Sequence, residues 1–133
     1  MYNIDDIMYM LDWNQSKEEQ EKGLKLAKSI KSINVFIQPL DSKHNKNVWE
    51  NCAKVLSERS DEELKPYIIS LLEWLQDMNW PGAFIIFERL KNYKDKENFV
   101  WSYCVVMNMA EKLDDEIWKE NLIELSEFLN FKL

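Results

Sequence analysis

Glycine and proline are nearly missing from this chain, with 2 and 3 residues in 133. Tight β-hairpin turns draw on glycine for their left-handed positions, so a hairpin-rich β protein is excluded. Cysteine is equally sparse. Cys52 and Cys104 stand far apart, without a C-x-x-C pair or zinc-ligand spacing. Both fall on apolar helical faces, and both are expected to be buried free thiols in a reducing compartment. Histidine occurs once, as His44 in Lys43-His44-Asn45-Lys46. A zinc site needs further ligands at suitable spacing, and a nucleophilic pair with Cys52 would need a thiol off the core stripe. His44 therefore reads as an exposed loop residue.

Positive charge is also short. Seventeen Lys and Arg face 24 Asp and Glu, for a formal net charge of −7. A nucleic-acid binder needs a basic stripe to displace counterions, and none is visible, so nucleic acid is not expected as a partner. A basic protein is the better electrostatic match. No apolar run is long enough to cross a bilayer, and no basic-then-apolar leader opens the chain. A cytoplasmic protein without a membrane partner is expected.

What the chain does hold is apolar and helical in period. Hydrophobic residues make up 46% and aromatics 13%, enough for one real core over residues 1–133. Ile4, Ile7, Met8 and Leu11 share one face of a first helix. After the turn Asp12-Trp13-Asn14-Gln15, Ser16 and Glu19 have capping-box spacing. The helix they open turns Leu24, Ala27 and Ile30 inward, with Gly23 offering room for a close neighbour. Residues 33–40 read as a short helical or extended buried link, and 41–47 as an exposed loop. Trp49, Cys52, Ala53 and Leu56 give the next helix its buried stripe. Ser60 and Glu63 form a second capping box, and Pro66 separates a single turn from a helix reaching Gln76.

Asn79 then reads as the cap of a helix with Pro81 in its first turn. In that helix Ala83, Ile86, Phe87 and Leu90 point inward, while Phe84 and Ile85 make it apolar almost all round and so central. Asp95 caps the helix containing Phe99–Ala110, and Asp114 caps a last one with Trp118, Leu122, Leu125 and Leu129 on one stripe. Leu11-Asp12-Trp13-Asn14 and Asp77-Met78-Asn79-Trp80 echo each other at about two repeat lengths. An all-α fold of four antiparallel helix pairs, stacked as a short HEAT/ARM-like α-α superhelix, is expected.

The run Asp61-Glu62-Glu63-Leu64-Lys65-Pro66, then Leu71-Leu72-Glu73-Trp74-Leu75-Gln76-Asp77-Met78-Asn79-Trp80-Pro81, resembles a family of small bacterial proteins, domain of unknown function 5071. The likeness is densest between Val48 and Leu90, and its W-L-Q-D-x-N-W-P string is fairly specific. It implies a HEAT-like all-α fold and brings no activity, cofactor or catalytic residue. Gly82 departs from the larger aliphatic residue that usually follows the motif proline, a difference expected to alter local packing.

Four acidic clusters, around Asp5, Glu18, Asp61 and Asp114, could serve acid–base or metal chemistry. Each lies at a helix start, where negative charge offsets the helix dipole. That single structural reason covers all four, so no catalytic residue, metal or cofactor is expected. Trp49, Trp101 and Trp118 read as core. Trp13 and Trp80 lie at turns, where an indole either staples helices or anchors a partner; packing is the favoured reading. Tyr67, Met78, Tyr93, Tyr103, Met107 and Met109 read as core, with a ligand cleft as the alternative.

Two functions follow. The first is a non-enzymatic protein-interaction module, in concrete form an immunity protein neutralising a basic bacterial toxin. Its candidate partner-binding residues are Asp12, Trp13, Asp77, Asn79 and Trp80. The second is a helical-repeat nucleic-acid-processing enzyme of glycosylase type, which the acidic charge disfavours.

Overall fold

A computed structural model describes residues 2–38 and 46–130, and every described element is helical. The α-helices are α1 (Ile4–Met10), α2 (Lys17–Ala27), α3 (Trp49–Ser57), α4 (Asp61–Leu64), α5 (Ile68–Glu73), α6 (Ala83–Lys91), α7 (Lys96–Lys112) and α8 (Glu116–Leu129). Short 3₁₀ turns at Ile33–Phe36, Lys46–Val48, Lys65–Tyr67 and Trp74–Gln76 join or extend them. His44 and most of the expected 41–47 loop lie outside the described residues.

Local chemistry explains most of the boundaries. Asn3 and Asp6 form a reciprocal capping box on α1, and Ser60 and Glu63 do the same on α4. Ser16 accepts from the Glu19 N–H as expected. Asp95 caps α7, accepting from the Asn98 N–H. At α8 the cap is Asp115 rather than Asp114, which instead takes a left-handed conformation, φ 56°, in the preceding turn. Pro66 supplies no N–H, so the chain tightens into a 3₁₀ turn between α4 and α5.

Packing joins these helices in two directions. α1 lies on α2, where a Cβ on Gly23 would come within 2.7 Å of the Met10 Cβ; only glycine allows that approach. Further along, α3 packs on α6 and α5 on α7, so the principal contacts run between like helices of successive pairs. α8 closes against α6, α7 and the Trp74–Gln76 turn. Among the described residues α8 is the last element, so the four complete helix pairs expected are not all seen.

Long side chains tie each unit to an earlier helix end. Arg59 donates to the Ala27 and Ile30 carbonyls at the end of α2, at 2.8 and 2.7 Å. Thirty residues on, Arg89 donates to the Arg59 carbonyl at 2.9 Å. Trp118 and Asn121 of α8 reach the Leu72 carbonyl in the last turn of α5 and the Leu75 carbonyl in the 3₁₀ turn that extends it, at 3.1 and 2.8 Å. Helix C-termini leave carbonyls without partners, and here later units satisfy them. Trp74, Trp118, Tyr103, Phe36 and Phe99 are the largest fully buried side chains of the core.

Several expected core positions face outward. Trp101 and Phe84 are 65% and 66% exposed, and Cys104 is exposed as well. Their helices turn other stripes inward: Phe99, Ser102, Tyr103, Val106 and Ala110 on α7, and Ala83, Ile86, Phe87 and Leu90 on α6. Near-uniform apolarity concealed which side was packed. Cys52 is buried as expected.

Candidate functional site

The two echoing turns share one geometry and one edge of the fold. The Asp12 carboxylate accepts from the Asn14 N–H, and the Asp77 carboxylate from the Asn79 N–H, each at 2.8 Å. Both are Asx turns, in which the side chain replaces a backbone acceptor. The Gln15 N–H then donates to the Asp12 carbonyl and the Trp80 N–H to the Asp77 carbonyl, each at 3.0 Å. Both turns lean on the start of α3: the Trp13 N–H donates to the Asn47 carbonyl, and the Trp80 ring meets Trp49 edge-on at 5.5 Å. Lys46 lies over both the Trp49 and Trp80 rings, at 5.6 and 5.8 Å.

This edge is held together from within. Buried Asn51 donates to the Leu11 carbonyl at 2.7 Å and to the Gln20 side chain at 3.0 Å, and Gln20 donates to the Gln15 carbonyl at 2.8 Å. Trp74 donates through Nε1 to the Pro81 carbonyl at 2.9 Å. Gly82 follows with φ 84°, and a Cβ there would meet the Ala53 Cβ at 2.7 Å and the Trp49 carbonyl oxygen at 2.9 Å. Gly82 is itself the N-cap residue of α6, so Asn79 is not its cap and Pro81 precedes the helix. The left-handed glycine lets the chain turn into α6 while α6 sits directly on α3.

The expected site residues therefore divide. Asp12 and Asp77 are half-buried and spend their carboxylates on turns, and Trp80 is half-buried against Trp49. Asn79 is exposed, and so is Trp13, at 45%, against the packed role expected for it.

The opposite edge carries a charged network. Arg89 contacts Asp61 at 2.6 Å, and the Lys94 N–H donates to the same carboxylate at 2.9 Å. Burial works to raise the Asp61 pKa, but the Lys94 hydrogen bond and the Arg89 guanidinium outweigh it and hold the carboxyl below its ordinary value. Glu63 is also held low, by the Ser60 N–H and by Arg59. Asp61 clamps α4 to the end of α6 and the residues after it, while Glu63 holds the local Arg59–Ser60 turn.

The open site lies elsewhere, along the seam of α7 and α8. A groove of about 990 Å³ runs between them. From α7 it is lined by Tyr103, Met107 and Glu111, four residues apart and so on one face. From α8 come Glu116, Lys119, Glu120, Ile123 and Glu127. Tyr103 is buried, its hydroxyl donating to the Leu122 carbonyl at 2.8 Å, while Met107 is half-buried and Ile123 is 48% exposed. The middle of the groove is thus apolar and its rim carries four glutamates against one lysine. That lysine is already engaged: Lys119 sits 2.7 Å from Glu116, and this hydrogen bond, with the nearby Asp114 and Glu111 charges, holds its pKa above the ordinary lysine value.

Residues 42–129 match the family described as domain of unknown function (DUF5071), more than half of the chain. The chain belongs to this family. No curated protein and no solved structure matches it. The match takes in the Trp74–Pro81 turn and the groove lining as far as Glu127, while Asp12 and Trp13 lie outside it. Among the described residues no helix is long and apolar enough to cross a membrane.

Sequence reasoning passed over the groove. Tyr103 and Met107 stood among the residues weighed for a ligand cleft, but Glu111, Glu120 and Ile123 carried no signal of their own. A four-residue spacing on α7 matched with Glu116-x-x-x-Glu120-x-x-Ile123 on α8 was the pattern available.

Proposed function

We propose that this chain is a non-enzymatic protein-interaction module, a short HEAT-like stack that docks a basic partner protein. The observation that carries this reading is the acid-rimmed, apolar-floored groove between α7 and α8. Clefts of this size hold a partner's apolar anchors, while the charged rim selects the partner and speeds its arrival. An excess of seven negative charges over the whole chain supports the same direction. A phosphate backbone would meet repulsion on this surface, which weighs against a nucleic-acid-processing enzyme.

In concrete form, the module is an immunity protein that neutralises a basic bacterial toxin in the cytoplasm. The test is to co-express the chain with the basic protein encoded beside it and to measure complex formation and cell survival. A stable complex with protection supports the reading. Absence of both overturns it. The edge bearing Asp12, Trp13, Asp77, Asn79 and Trp80 is the competing docking surface, and Trp13→Ala separates the two.

A further inference from the structure

We infer that the α7–α8 groove seats a cationic amphipathic helix of the partner, with the Lys/Arg-rich end of that helix at the α7–α8 turn. The inference rests on the proposed protein-docking role and names what the groove takes and which way round.

The shape argues for a helix. Two adjacent antiparallel helices present ridges with a channel between them, and a third helix fills such a channel with its own side-chain ridge. The lining runs from residue 103 to 111 on α7 and from 116 to 130 on α8. At 1.5 Å per residue these stretches are roughly 12 and 21 Å long, the reach of a segment of about 8 to 14 residues. Met107 and Ile123, at the middle of each stretch, offer contact to apolar side chains on one face of the incoming helix.

Charge sets the direction. Because the two helices are joined by the short turn at 113–115, Glu111, Glu116 and Glu120 gather at the turn end. Only Glu127 lies toward the other end, beside Ser126 and Asn130. Lys119 shows what the turn end accepts: one resident ammonium already lies among Glu116, Asp114 and Glu111. Among the described residues, Glu111, Glu120 and Glu127 enter no ion pair, leaving their charge to an arriving cation. A helix with its basic residues at one end satisfies the turn end, and the opposite orientation leaves those carboxylates without a counter-charge.

The probe is a fluorescein-labelled synthetic helix of about 14 residues, leucines on one face and lysines clustered at one terminus, with a twin carrying glutamate for lysine. Binding is read by anisotropy, and orientation by a nitroxide at the lysine end that broadens nearby amide signals. We expect the lysine peptide to bind and its twin not to. We expect the double variant Glu111→Lys, Glu120→Lys to weaken binding about tenfold or more. Ile123→Ser, at a half-exposed position, should weaken it without altering the circular dichroism. A control with the same charge change elsewhere, Glu18→Lys with Glu62→Lys, should leave binding within about twofold. Broadening should centre on Glu111 and Glu116.

Equal binding of the twin, equal loss in the control, or broadening centred on Asn130 each overturns the inference. The parent reading fails separately: a natural complex that survives the Glu111→Lys, Glu120→Lys change sinks the groove assignment alone. Failure to form any complex with a basic protein sinks the docking role itself.

Discussion

The W-L-Q-D-x-N-W-P edge and the α7–α8 groove are opposites. The edge is the most distinctive stretch of the sequence, and its polar groups are largely consumed within the fold: Trp74 by the Pro81 carbonyl, Asp77 by the Asn79 N–H, Gly82 by close approach to α3. The groove is compositionally ordinary, and its glutamates and Ile123 remain available to solvent. A demanding packing problem calls for particular residues, because few side chains satisfy a left-handed turn and a helix contact together. A docking groove needs only a charge balance and an apolar floor, which many residues can supply.

The sharpest way to break this contrast is Trp74→Ala. A fully buried indole whose N–H is satisfied internally should cost about 3–5 kcal/mol, read as a loss of chemical-denaturation stability. Near-neutral behaviour would show that the motif is not held by packing. Next comes Gly82→Ala, expected to cost about 3 kcal/mol from left-handed backbone strain and the clash with Ala53. Unchanged stability there would mean that α6 can shift off α3.

Asp61→Asn should cost roughly 2 kcal/mol near neutral pH, since it removes a charge-assisted partner of Arg89. The pH dependence has a definite sign. The folded carboxyl lies below its ordinary value, so its stabilisation is present above the unfolded carboxylate pKa and fades as pH falls through the folded one. The gap between wild type and variant should therefore close in acid, as followed by urea unfolding across pH. A gap independent of pH would remove the ion pair from the account.

The smallest effect belongs to Trp13→Ala, whose exposed ring should cost under about 1 kcal/mol. It should leave partner binding intact, measured by titration calorimetry. Lost binding with unchanged melting would move the docking surface to the turn edge.

Much of the fold was legible in local pattern. The Ser60–Glu63 box, the Pro66 interruption, the Asp95 cap and the stripe Trp118, Leu122, Leu125, Leu129 are all written in neighbouring residues, and each is found in place. Their physics acts over one or two turns of chain. Trp101, Phe84 and Cys104 were misplaced because α6 and α7 are apolar on more than one side, and periodicity cannot tell which side meets a neighbour. The Asx turns at Asp12 and Asp77 were visible as an echo, but their convergence on α3 was not. The groove was hardest, since its two walls come from different helices whose relative rotation no local pattern specifies.

By itself the chain determined that it would be helical, where its side-chain-capped helices α2, α4 and α7 would begin, and that its net charge would be negative. Those properties depend on backbone capping, hydrophobic period and summed charge, each additive over short stretches. Tertiary structure alone decided that Arg59 and Arg89 would close the ends of earlier helices about thirty residues back, and that Met107 and Ile123 would line one open seam. These outcomes depend on how rigid helices seat against one another, a cooperative choice made by the whole core at once.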